Sequence, residues 1–175
     1  MRENKKYTPA RAIATVGIMA AVIECAKLAL AGVPNVEVVT LLVAVCGYSF
    51  GWLGVLATLV FVCIEPIIWG FGTWFVSYLL YWPFVALAFM LLGRARVRSI
   101  YVLTATALLF TVWFGVFTSL VDVGLLSGSY DNFIARFAVY YARGWVFYLI
   151  QLASNAVTFP LLFRPLAEKL NKIAN

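Results

Sequence analysis

Polar side chains capable of chemistry are few in this chain, and their spacing sets the first expectations. Arg136, Tyr140, Arg143, Phe147, Gln151, Ser154 and Thr158 follow at steps of 4, 3, 4, 4, 3 and 4. On a helix such steps define one narrow stripe, cationic and aromatic at one end and amide and hydroxyl at the other. Guanidinium groups in such a stripe can hold a phosphate or carboxylate. The plainer reading is that Arg136 reaches the headgroups while the rest bond neighbouring helices. A second group is aromatic: Trp69, Trp74, Tyr78, Tyr81, Trp82, Trp113, Tyr140, Tyr141 and Trp145. An interfacial belt accounts for part of this set, and stacking walls of a ligand pocket for another part. Asn35, Glu37, Glu65 and Asp122 complete the candidates. Glu24 and Lys27 stand one turn apart and are expected to pair on one helix, a structural role first.

The absent chemistry narrows the function classes. The chain has no histidine, the commonest general base and metal ligand. None of the five lysines follows a glycine, so there is no phosphate-binding Gly-Lys loop. A Gly-x-Ser-x-Gly elbow is missing too. Glu65 and Asp122 remain as a carboxylate pair for catalysis, with nothing else to support an enzyme. Cys25, Cys46 and Cys63 suit neither a metal site nor a disulfide framework. The expectation is a protein without catalytic residues, metal or cofactor.

The elements that position these residues follow from composition. Of 175 residues, 65% are hydrophobic and 11% charged, against about 25% charged in ordinary soluble domains. Residues 38–64, 66–93, 99–121 and 144–163 contain no Asp, Glu, Lys or Arg. A bilayer-spanning helix needs about 20 such residues, and runs without period-2 alternation are helices rather than barrel strands. The run 38–64 is long enough to be one span or parts of two; the glycines in Ser49-Phe50-Gly51-Trp52-Leu53-Gly54 mark the break. Arg2, Lys5, Lys6 and Arg11, then Arg94, Arg96 and Arg98, then Arg164, Lys169 and Lys172 form three basic clusters. The positive-inside rule puts all three on the cytoplasmic side only if even numbers of spans separate them. The predicted fold is therefore all-α and integral to the membrane, a single transmembrane domain over 1–175. Its six spans are roughly 10–31, 36–50, 53–69, 73–92, 100–122 and 134–163, with both termini cytoplasmic. The net charge of +6 is then a consequence of topology and needs no nucleic acid.

The first helix could be a signal peptide cleaved after Ala29-Leu30-Ala31, but Glu24 and Lys27 are out of place there, so it is read as a retained span. It also carries Ala10, Ala14, Gly17 and Ala21 on one face. Small residues at this spacing let helix backbones approach closely, whether within the chain or against another protein.

With these residues in place, the chain resembles the substrate-binding S component of energy-coupling factor (ECF) vitamin transporters. The resemblance covers nearly the whole length. It rests on six spans, basic ends, the Ala10–Ala14 pattern, and three tracts: Pro34-Asn35-Val36-Glu37-Val38-Val39-Thr40, Tyr48-Ser49-Phe50-Gly51 and Glu65-Pro66-Ile67-Ile68-Trp69-Gly70-Phe71-Gly72. It implies a bacterial plasma-membrane subunit that captures a vitamin near the outer face. It further implies docking, through the small-residue face, on a transmembrane coupling protein that carries two ATP-binding subunits. The expected pocket joins Asn35, Glu37, Glu65, Trp69, Trp74, Tyr78, Tyr81, Arg136, Tyr140 and Arg143. Overall similarity points to cobalamin, with a flavin or pterin as alternatives. A structural or regulatory membrane protein and a self-sufficient secondary carrier are the competing functions.

Overall fold

The computed structural model describes residues 7–33 and 36–174. Among them the chain forms seven α-helices and no strand: α1 (Pro9–Ala29), α2 (Val39–Phe50), α3 (Trp52–Trp69), α4 (Trp74–Arg94), α5 (Ile100–Leu120), α6 (Phe133–Arg143) and α7 (Trp145–Ala174). A π-helical turn, Val121–Leu126, extends α5. Five helices are long and apolar enough to cross a membrane: α1, α3, α4, α5 with its extension, and α7.

The run 38–64 is indeed divided at Gly51. That residue has φ +62°, open to glycine and strained for other residues, and it ends α2 and starts α3. At 1.5 Å per residue α2 is about 18 Å long, short of the ~30 Å hydrocarbon core. Its environment compensates. Nine of its 12 residues are buried, because α2 packs among α3, α4 and α7; a helix apolar all round belongs inside.

Much of the bundle's outside is apolar. Ile13, Ile67, Leu109 and Leu161 are each more than 60% exposed. In water such a surface aggregates, whereas hydrocarbon solvates it. The architecture is that of a multi-pass helical membrane protein.

The region 134–163, expected as one span, is two helices. Gly144 separates α6 from α7, and the Tyr148 ring packs over it. Of the 11 residues of α6 none is buried, and at about 16 Å it is too short to cross a bilayer. Arg136 and Arg143 lie along it with Phe133, Phe137 and Tyr141, an amphipathic composition suited to an interface. The stripe from Arg136 to Thr158 is accordingly cut at Gly144.

Contacts bring described residues of the three basic clusters to one end. The Arg11 guanidinium donates to the Ile173 carbonyl in the last turn of α7, and Arg164 donates to the Arg98 carbonyl at 3.1 Å. The opposite end holds the C-terminus of α1, the α3–α4 connection, the π-helical turn and α6.

Candidate functional site

At that opposite end, α1 and α3 meet through a part-buried ion pair. The Lys27 ammonium in the last turn of α1 donates to Glu65 Oε2 on α3. It also stands 5.5 Å from the ring centroids of both Trp69 and Tyr78. Glu65 is 1% exposed and Glu24 5%, and the two carboxyl groups lie close enough to interact. Lys27 therefore does not pair with its helical neighbour Glu24 in the expected way; its hydrogen bond reaches across to α3. Trp69, half exposed, forms the outer wall.

From this pair an aromatic file runs down α4. Trp74 meets Tyr78 edge-on at 5.2 Å, and Tyr78 meets Trp82 at 5.7 Å. The spacing of four residues puts them on one helix face. Tyr81 leaves the site: it is 2% exposed, and its hydroxyl donates to the Phe110 carbonyl at 2.7 Å. Its ring also packs on Phe114, so it ties α4 to α5.

The arginine end of the stripe forms a separate cleft of about 560 Å³. Arg136, Tyr140 and Arg143 of α6 line it with Thr73 and with Asp122 from the π-helical turn. Arg136 donates to the Ser129 carbonyl at 2.8 Å. Burial first, then the Asp122 carboxylate beside it, hold the Tyr140 phenol above its ordinary value. Thr73 lies in this cleft and Trp74 packs on Tyr78, so the cleft and the Lys27 cluster flank the same end of α4.

Glu37 is held inside the fold. Its carboxylate accepts from the Thr40 amide at 3.0 Å, the Thr40 hydroxyl at 2.5 Å and Asn155 Nδ2 at 3.0 Å. Asn155 Nδ2 also donates to Thr111 Oγ1 at 3.0 Å, and Ser154 donates to the Glu37 carbonyl at 2.9 Å. One carboxylate thus joins the start of α2 to α5 and α7. Asn35 lies outside the described residues.

Of the expected pocket, the structure groups Glu65, Trp69, Trp74 and Tyr78 on one side and Arg136, Tyr140 and Arg143 on the other. It sets Glu37 and Tyr81 among helix contacts. Sequence reasoning had given Lys27 only a structural role, although a lysine inside an apolar span was the signal. It passed over Asn155 altogether, a lone amide beside Ser154 in the charge-free run 144–163. No protein-family model, no curated protein and no solved structure matches this chain.

Proposed function

We propose that this chain is the vitamin-capturing S component of an ECF-type, ATP-driven importer in a bacterial plasma membrane. It has no catalysis of its own. In this reading it crosses the membrane six times with α2 as a short second span, both termini are cytoplasmic, and a transmembrane coupling protein with two ATP-binding subunits completes the transporter. The observation that carries the proposal is the meeting of Lys27, Glu65, Trp69, Trp74 and Tyr78 beside the arginine cleft, opposite the basic end. Ionisable groups inside a membrane bundle mark ligand or ion sites, and rings with cations suit a large, flat, functionalised ligand. Cobalamin is the first substrate to test, then a flavin or pterin. A corrinoid exceeds the usual ~300–1,000 Å³ pocket and has to lie partly exposed above the site.

Mass spectrometry of molecules co-purifying with the protein, followed by calorimetry with cobalamin, riboflavin and folate, tests this reading. Arg143→Ala weakens binding by ~1.5–3 kcal/mol, the worth of a charged hydrogen bond. Arg96→Ala, on the connection after α4, leaves it unchanged. No bound vitamin and no heat from any of the three rejects the capture function. Uptake that persists without ATPase partners points instead to a self-sufficient carrier.

The docking face has its own support. Ala10, Ala14, Gly17 and Ala21 are all exposed, and a side chain at Gly17 would meet nothing within 4 Å. Ala14→Leu or Gly17→Leu is expected to abolish association with the coupling protein and uptake while ligand binding survives. Equal loss of binding and assembly refutes the docking role. For topology, a cysteine at Ser99 labels only from the cytoplasmic side and one at Ser129 only from outside; outside labelling at position 99 excludes six spans.

A further inference from the structure

The buried carboxyl pair on α1 and α3 has an unbalanced partner list. Both Glu24 oxygens and Glu65 Oε1 are buried and accept no hydrogen bond. Lys27 bonds Glu65 alone, while Glu24 lies close enough to feel both charges, with Tyr78 beside the ammonium on α4. Unpaired buried charge is costly in a bundle surrounded by hydrocarbon. A proton on Glu24 balances the count.

Lys27 is the member of the trio that solvent reaches: its side chain is 26% exposed, against 1% for Glu65. Its flexible stem lets the ammonium swing, and Trp69 beside it offers a half-exposed ring face. Departure of Lys27 would leave Glu65 facing a protonated Glu24, with which it can share one proton. Glu65 therefore keeps a partner whether or not Lys27 stays.

We infer that Lys27 is a ligand-binding residue held in reserve by Glu65, and that it turns to the carboxylate or phosphate of a ring-bearing ligand lying against Trp69. The inference rests on the vitamin-capture reading and names its substrate class: a flat ring system that carries an anion. Glu24 supplies the proton that Glu65 shares once Lys27 has left, so no bare carboxylate remains in the bundle.

The test measures binding of cobalamin, folate and flavin mononucleotide to the purified full chain, with riboflavin as the flavin ring without its phosphate. Wild type is expected to bind at least one of the three probes that carry a phosphate or carboxylate. Glu65→Gln, which frees Lys27, tightens that binding. The double variant Lys27→Met/Glu65→Gln leaves no charge unpaired, so it folds, but it binds about ten-fold or more weakly, the loss of a charged hydrogen bond. If flavin mononucleotide is the ligand bound, its advantage over riboflavin disappears in the double variant. A structural pair gives the opposite pattern: Glu65→Gln loses binding and the double variant regains it. That result, or equal binding by all three proteins, overturns the role of Lys27 and leaves capture standing. A wild type that binds none of the probes overturns the role of Lys27, and capture falls with it only if no vitamin co-purifies with the protein either. Infrared spectroscopy checks the proton separately: wild type shows a protonated-carboxyl band that Glu24→Gln lacks. Absence of the band from wild type overturns the proton sharing.

Discussion

Glu37→Ala is expected to lower the stability of the purified protein by about 2–3 kcal/mol, the cost of removing a part-buried carboxylate that accepts three hydrogen bonds. The carboxylate accepts three hydrogen bonds, and one of the donors, Asn155, is fully buried on α7. Alanine removes the acceptor and leaves Asn155 bonded to Thr111 alone. It also frees the first turn of α2, whose Thr40 amide has the Glu37 side chain as its partner. Glu37→Gln keeps an acceptor oxygen and costs nearer ~1 kcal/mol. Thermal unfolding in detergent, without ligand, measures both. If Glu37 instead serves a ligand, Glu37→Ala abolishes binding at an unchanged melting temperature, and the structural assignment fails.

The second large effect is steric. A Cβ at Gly47 would overlap the backbone carbonyl of Ala86 on α4. A backbone carbonyl inside a helix cannot rotate away as a side chain can, so α2 and α4 have to separate. Gly47→Ala is expected to cost ~2–3 kcal/mol, near the upper end of ordinary overpacking. Gly47→Leu is expected to prevent accumulation of folded protein. Gly54 faces the Cys46 carbonyl just as closely, so Gly54→Ala follows the same direction. Gly17 is the internal control: with open space around it, Gly17→Leu leaves the melting temperature of the isolated chain unchanged. An unaltered midpoint for Gly47→Ala would mean that α2 and α4 do not pack as closely as described.

The two glycines look alike as residues in apolar helices, yet tertiary packing separates them. Small-residue spacing singles out Gly17 for close approach, because periodicity shows which residues share a face. It does not show which face meets a partner inside the chain. That role belongs to Gly47 and Gly54, and the Gly17 face stays open.

The same division runs through the site. Charge-free runs of 20 residues or more dictate apolar helices, since backbone in hydrocarbon has to satisfy its own hydrogen bonds. Paired glycines near 51 dictate the break between α2 and α3, because only a residue without Cβ takes φ +62° there without strain. Both were legible in the sequence, as were the scarce ionisable residues of the cluster. Their partners were not. Lys27 bonds Glu65, 38 residues away, rather than Glu24, three residues away, and Glu37 meets Asn155 across 118 residues. The break at Gly144 escaped because the stripe's steps of three and four continue across it, from Arg143 to Phe147. Local spacing fixes the direction of a side chain on its own helix; the helix that it meets depends on how all the faces pack together, and only the tertiary structure decides that.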